Sequence, residues 1–421
     1  MERFVIHGGM PLIGTAAVPA AKNAVVALMA ASLLSGSVTE LLNIERISDA
    51  DDMLEILRSL GCDCAWQDSA VRIDSGAAEA PQVPSSRANK IRSSIFLLGP
   101  ALARFRKATV ARPGGCEIGL RPIDIHRKGL EALGVKITDE YGLLKCDAGG
   151  LHGGVVHLDC PSVGATENLM MVSVFTDGVT EIRNAAKEPE IVDLAGLINR
   201  AGGNITGAGT STVVIRGVPK LNGCIYRPIP DRIVTGTLMI AVAITGGRIE
   251  LTGAVPEHVS SLTVKLRDAG VSVQAVGDRI TVECAGRSKS FFTVDTQPYP
   301  GFPTDLQAQT TALQAVSDGT CAVIENMFES RFKHIPELLK MGACITVRDR
   351  VAIVRGVPRL YGADVTAPDL RGGAALILAG LCAQGITTVN NIALVDRGYY
   401  QFEKTLRKLG ADIEREVTND R

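Results

Sequence analysis

Apolar residues fall into two alternating kinds of segment along this chain. In the first they recur at helical spacing between polar neighbours, as in Met53, Ile56, Leu57 and Leu60, or Ile335, Leu338 and Leu339. That spacing predicts a half-buried helix. In the second kind, represented by 23–34, 168–175, 236–244 and 374–382, the residues are apolar nearly all round, and a helix with no face for water belongs inside a shell. Each amphipathic run ends in a glycine turn, at Gly61, Gly134, Gly202, Gly270, Gly342 and Gly410. The turns recur about every 70 residues, which points to one supersecondary unit used six times. The unit reads as strand, inner helix, strand, outer helix and strand pair.

The repeat is circularly shifted. The segment Ile6 to Gly14 resembles Ile215 to Gly223 and Ile353 to Gly362, which both precede an inner helix, while the last unit lacks its counterpart. The first 20 or so residues are therefore expected to complete the C-terminal domain. This gives two three-repeat domains, 21–229 and 1–20 plus 230–421, with a cleft between them.

The length of 421 residues agrees with two domains, and an apolar share of 46% suffices for two cores. The 44 basic and 45 acidic side chains leave a formal net charge of −1. That balance argues against nucleic-acid or membrane-surface partners, so any positive site must be local. The stretch 372–395 has no charged side chain, but its polar pairs would be costly in lipid, and it reads as a buried helix, a turn and a strand. The start carries no apolar segment behind a basic stretch, so a cytoplasmic chain is expected. Ten scattered cysteines form neither a disulfide framework nor a zinc set, and no metal or cofactor is expected.

The charged residues repeat their positions. Lys22, Asp305 and Arg371 each lie 14 residues before the glycine turn that follows an inner helix, as does Gly164, and Arg92 occupies the matching place in the second unit. These are helix N-termini, which favour anions. Arg121 and Arg397 lie 13 residues before their outer-helix glycines, and Arg331 lies 11 before its own. Single surface charges of this kind are usually only solvated; their equivalence in the repeat points instead to a focused site for phosphate and carboxylate groups. By residue type alone, Asp305 at a helix start reads as a cap, and His126 as structural. The other five histidines suggest no partner.

The second unit carries a longer connection, Arg112-Pro-Gly-Gly-Cys-Glu-Ile-Gly-Leu-Arg121. Its glycines suit a moving loop, and its arginines would lower the Cys116 thiol pKa toward activity, although by spacing alone an incidental cysteine, one of ten, is the commoner reading. The run Pro113 to His126 resembles the signature loop of the UDP-N-acetylglucosamine 1-carboxyvinyltransferase family. Lys22-Asn23, Ile91 to Ser94, Ser162 to Thr166, Gly301 to Asp305, Phe328 to Arg331, Asp369 to Arg371 and Asp396 to Tyr399 are further matches, in order along almost the whole chain.

The resemblance implies an α/β fold of two inside-out domains, each of three repeated units around inner helices. It implies two small-molecule substrates, phosphoenolpyruvate and UDP-N-acetylglucosamine, and a role in peptidoglycan precursor synthesis. Lys22, Asn23, Arg121 and Arg397 would hold phosphoenolpyruvate. Arg92, Arg121, Pro122, Ile123, Asp124, Ile125, Ser162, Val163, Gly164, Asp305 and Met327 would contact the nucleotide sugar. Cys116 would be the general acid and Asp305 the general base, with Lys22 and Arg397 also catalytic and Arg331, Asp369 and Arg371 as other cleft charges. Two departures stand out. Cys160 replaces a Lys of some members, which puts one nucleotide contact in doubt, and Gly372-Gly373 follows Arg371 with no expected consequence. A sister transferase acting on shikimate 3-phosphate lacks the cysteine loop. A binding-only paralogue would not need the clustered charges.

Overall fold

The computed structural model describes residues 2–79, 92–111 and 123–417. They form two compact units that exchange the chain at Pro19–Ala20 and Ile229–Pro230, each around its own apolar core.

The unit that starts at Ala20 holds the helices α1 (Lys22–Ala31), α2 (Ser48–Ser59), α3 (Leu98–Phe105), α4 (Asp124–Ala132), α5 (Val163–Val172) and α6 (Pro189–Arg200). The other holds α7 (Arg232–Thr245), α8 (Ser260–Asp268), α9 (Gln307–Val316), α10 (Ile335–Lys340), α11 (Leu370–Cys382) and α12 (Phe402–Lys408). The odd-numbered helices are the inner ones, and in the second unit α7, α9 and α11 pack on one another. The even-numbered helices are amphipathic, and the glycine after each takes positive φ: +89° at Gly61, +87° at Gly134, +104° at Gly202, +88° at Gly270, +90° at Gly342 and +99° at Gly410. A side chain there would strain the backbone, which explains the glycine period seen in the sequence.

Six small sheets accompany the helices among the described residues, five of four strands and one of three. One shows the rule. The short strand Thr293–Asp295 runs parallel to Thr320–Ile324, which pairs antiparallel with Val351–Arg355, itself the second arm of a hairpin from Cys344–Arg348. In another sheet the matching second arm is Glu2–His7, inserted antiparallel between Ile386–Asn390 and Asp412–Val417. Leu12–Ala17 runs parallel to Gly247–Thr252.

Capping fixes where several inner helices begin. Asp231 accepts hydrogen bonds from the N–H groups of Ile233 and Val234 at 2.7 and 2.9 Å. Asp369 accepts from Arg371 and Gly372, both at 3.0 Å, and Ser162 accepts from Ala165 at 3.4 Å. Such caps satisfy N–H groups that the first helical turn leaves open.

The apolar inner helix is not universal. In α9, Gln307, Gln309, Thr310, Thr311 and Gln314 are all fully buried. Their burial is partly offset by hydrogen bonds. The Gln314 carboxamide oxygen accepts from Ser290 Oγ at 2.9 Å and Phe291 N at 2.8 Å, while Gln309 donates to Thr237 Oγ1 at 3.1 Å and to Tyr399 Oη at 3.0 Å. Hydrophobicity alone therefore misses this helix. Among the described residues no helix is long and apolar enough to cross a membrane, and the nine described cysteines are unpaired thiols.

Candidate active site

In the second unit three of the expected charges meet. The short turn Thr304–Leu306 leads into α9 and carries Asp305. Its carboxylate is 26% exposed and spans two guanidinium groups that are each 3% exposed. Arg331 Nη2 donates to Oδ1 at 2.6 Å. Arg371 donates to Oδ2 from Nη2 at 3.0 Å and from Nε at 3.3 Å. Asp305 is thus not a helix cap: Pro303 holds that position, and the carboxylate turns to the arginines instead.

Stacking and packing set the two arginines. The Arg331 guanidinium carbon lies 5.5 Å from the Phe328 ring centroid and that of Arg371 lies 5.3 Å from Tyr399, within cation–π range. Tyr399 is fixed in turn by Thr237 Oγ1 at 2.9 Å and by Gln309. Among the described residues, one buried nitrogen of each guanidinium has no hydrogen-bond partner, Nε of Arg331 and Nη1 of Arg371.

Asp369 caps α11 beside them, and His334, fully buried, precedes α10. Burial holds the His334 pKa down to about 4, with Asp369 pulling it up and Arg331 pushing it further down. His334 is consequently neutral near pH 7, and sequence reasoning gave it no role.

Arg397 is half-buried on the connection into α12. Its neighbour Asp396 is gripped by Arg415 through two contacts of 3.0 and 2.6 Å. Gly373 also shapes this connection, contrary to the expectation that the glycine pair is inconsequential. A Cβ on Gly373 would stand 2.6 Å from Val395 Cγ2, and one on Gly372 would stand 2.8 Å from Pro368 Cγ. The pair lets α11 approach the segments on either side of it.

In the first unit Lys22 opens α1 and its Nζ contacts Asp49 Oδ2 at 2.8 Å, the two side chains being 16% and 8% exposed. Asp49 lies in the first turn of α2 and was not expected from the sequence. Asn23 follows Lys22 in the first turn of α1. Ser162, Val163 and Gly164 begin α5, and Ile123, Asp124 and Ile125 begin α4. His126, one residue on, packs under the α5 start so closely that a Cβ on Gly164 would come within 3.0 Å of its Nε2. Burial lowers the His126 pKa to about 4, which a backbone contact to Gly164 partly resists. Asn168 donates to Gly164 O at 3.0 Å and accepts from Gly99 N at 2.6 Å, tying this turn to α3.

Arg92 opens the 3-10 turn Arg92–Leu97, and its side chain lies outside the described residues, as do Cys116, Arg121 and Pro122. Cys160 is exposed, and Met327 is 37% exposed. Among the described residues no group of three His, Cys, Asp or Glu is disposed to hold a metal ion. The available chemistry is that of a carboxylate, several fixed cations and open helix N-termini.

Residues 6–406 match the family described as EPSP synthase (3-phosphoshikimate 1-carboxyvinyltransferase). The chain is 46% identical to UDP-N-acetylglucosamine 1-carboxyvinyltransferase 2 of Caldanaerobacter subterraneus subsp. tengcongensis, covering 99% of this chain and 100% of that one. It is 43% identical to UDP-N-acetylglucosamine 1-carboxyvinyltransferase of Shewanella amazonensis, over 99% and 100%. Its fold is similar to the enolpyruvyl transferase NikO from Streptomyces tendae, with TM-score 0.88, 25% identity and 99% of each chain covered. EPSP synthase from Acinetobacter baumannii shares the fold at TM-score 0.75, over 99% of this chain and 100% of that one, at 18% identity. With agreement of this extent along its whole length, the chain belongs to the UDP-N-acetylglucosamine 1-carboxyvinyltransferase family within the EPSP synthase group.

Proposed function

We propose that this protein transfers the enolpyruvyl group of phosphoenolpyruvate to the 3-hydroxyl of UDP-N-acetylglucosamine, releasing phosphate. The observation that carries the reading is the Asp305 carboxylate, fixed by two buried arginines at the entry to an inner helix. A carboxylate that is held but still partly exposed suits a general base.

The reaction runs as addition and then elimination. Cys116 gives its thiol proton to the methylene carbon of phosphoenolpyruvate, which makes the adjoining carbon electrophilic. The sugar oxygen attacks that carbon while its proton passes to Asp305. The hydroxyl becomes acidic as its oxygen bonds to the electrophilic carbon, so the proton passes to Asp305 as that bond forms. In the second stage the new methyl group returns a proton to the Cys116 thiolate as the carbon–oxygen bond to phosphate breaks, and the departing phosphate takes up the proton held by Asp305, leaving an enolpyruvyl ether, phosphate and both residues as they began.

Lys22, Asn23, Arg121 and Arg397 hold the phosphate and carboxylate of phosphoenolpyruvate, and the cations stabilise phosphate as it leaves. Asp49 keeps the Lys22 ammonium in place before the substrate arrives. Arg92, the segment Arg121, Pro122, Ile123, Asp124 and Ile125, the turn Ser162-Val163-Gly164, Asp305 and Met327 receive the nucleotide sugar, with open N–H groups of α5 suited to its phosphates. The reading places the protein in the cytoplasm, at the committed step toward peptidoglycan precursors. In the deciding experiment purified protein is mixed with each substrate alone and with both. Phosphate release that requires both supports the reading, and release with shikimate 3-phosphate in place of the nucleotide sugar overturns it.

A further inference from the structure

The strand that follows each inner helix ends at an equivalent position of the repeat. There the chain places Asn43, Asn184, Gly253 and Asn391, all with positive φ, at +59°, +55°, +70° and +59°. Two of these asparagines donate back to the segment entering the inner helix of their own repeat, Asn184 to Leu158 O at 2.9 Å and Asn391 to Ala367 O at 3.1 Å. In the repeat of α3 the position falls on Arg112, outside the described residues, and in the repeat of α9 it falls on Glu325. Glu325 follows the strand Thr320–Ile324 six residues after Gly319, as Asn184 follows Gly178 and Asn391 follows Gly385. The repeat thus exchanges a short donor for a longer, acceptor-only carboxylate.

Glu325 is fully buried, and its oxygens gather four donors from three segments. Oε1 accepts from Thr296 Oγ1 at 3.0 Å, Met327 N at 2.8 Å and Phe328 N at 3.2 Å. Oε2 accepts from Thr304 Oγ1 at 2.9 Å. Thr304 adjoins Asp305 in the turn before α9. Met327 and Phe328 open the loop that carries Arg331, and the Phe328 ring lies against the Arg331 guanidinium. A single side chain therefore ties both backbones whose side chains form the Asp305–Arg331 ion pair.

We infer that Glu325 is a positioning residue for the Asp305 base and for the Met327 edge of the nucleotide-sugar site, an inference that rests on the function proposed above. It touches no reacting atom. Its two oxygens divide the work: Oε2 holds the Asp305 turn through Thr304, and Oε1 holds the Met327–Phe328 backbone. Losing the first displaces the base and lowers kcat; losing both also weakens sugar binding. Small displacements of an oriented catalytic group cost rate steeply.

The test is steady-state kinetics on the full chain with phosphoenolpyruvate and UDP-N-acetylglucosamine, paired with thermal unfolding. Thr304→Val, which cuts only the Oε2 arm, is expected to lower kcat about tenfold or more while KM for the nucleotide sugar moves less than about twofold. Thr304→Ser, which keeps the hydroxyl, recovers most of that rate. Glu325→Ala lowers kcat and raises KM together. Glu325→Gln returns KM toward the starting value, because its carbonyl oxygen still accepts the Oε1 donors. A purely structural role moves the unfolding midpoint without this split. An active starting protein whose folded Thr304→Val and Glu325→Gln variants both keep kcat and KM overturns the inference alone. A starting protein that releases no phosphate sinks the proposed function, and the inference with it.

Discussion

Arg371 Nη2 donates to Asp305 Oδ2 at 3.0 Å across 66 residues of sequence, and Arg331 closes on the other oxygen of the same carboxylate. The starts of two inner helices and one connection to an outer helix thereby converge on one acid. This arrangement sets both the chemistry and its sensitivity to substitution.

Asp305→Asn keeps the shape of the side chain and removes the base. Loss of general base catalysis is worth roughly 10²–10⁴ in rate, so kcat should fall by that factor, and the lost charge opposite two buried guanidinium groups should lower the unfolding midpoint as well. Asp305→Ala also takes the last acceptor oxygen from two nearly buried guanidinium groups. It should additionally cost about 2 kcal/mol of stability, measured by urea unfolding of the two variants side by side.

Gly373→Ala should be costly although its backbone is unstrained. The added methyl meets Val395 Cγ2 at 2.6 Å, and overpacking of this kind costs about 1–3 kcal/mol. Val395 is fully buried two residues before Arg397, so the strain should reach that connection. A raised KM for phosphoenolpyruvate with an unchanged KM for the nucleotide sugar is the expected result.

The tight seat of His126 under Gly164 makes the complementary case in the first unit. Gly164→Ala forces the α5 start away from His126 Nε2 and should raise KM for UDP-N-acetylglucosamine selectively. Calorimetric titration of the variant with the nucleotide sugar checks it.

Acid should destabilise the second unit through His334. Its folded pKa is held down to about 4 by burial, below the ordinary value of about 6.5. Between these values the unfolded chain binds a proton that the folded chain refuses. Stability from this residue is therefore intact above about pH 6.5 and falls by up to about 3 kcal/mol as pH drops toward 4. His334→Asn should flatten that part of the stability profile, read from denaturant midpoints between neutral and mildly acidic pH.

Fosfomycin, an epoxide bearing a phosphonate, should alkylate Cys116. Intact-mass and peptide mapping are expected to place one adduct there and to show activity lost with it. An adduct confined to another cysteine with activity retained contradicts the acid role of Cys116.

Much of this architecture was legible because it repeats. The six glycines after the outer helices needed positive φ, and that backbone demand wrote a period into the sequence. The charges at helix starts and on the outer-helix connections were legible for the same reason, and three of them, Asp305, Arg331 and Arg371, meet. The buried polar helix α9 was not, since its glutamines and threonines find partners far away in sequence, such as Thr237 and Tyr399. Asp49 was hidden because tertiary packing, not spacing, brings it to Lys22, and His334 because only the fold shows that it is fully buried. Glu325 did leave a trace, as an acid where four of the other five repeats set asparagine or glycine, but the trace shows only once the strands are aligned.

The most direct test of the central claim follows both products of one reaction. Purified protein is incubated with phosphoenolpyruvate and UDP-N-acetylglucosamine, and released phosphate is compared with the mass of the nucleotide sugar. The account predicts one phosphate for each nucleotide sugar that gains one enolpyruvyl group, with both products lost together in Asp305→Asn. Phosphate released while the nucleotide sugar keeps its mass, or full turnover by the Asp305→Asn variant, would contradict it.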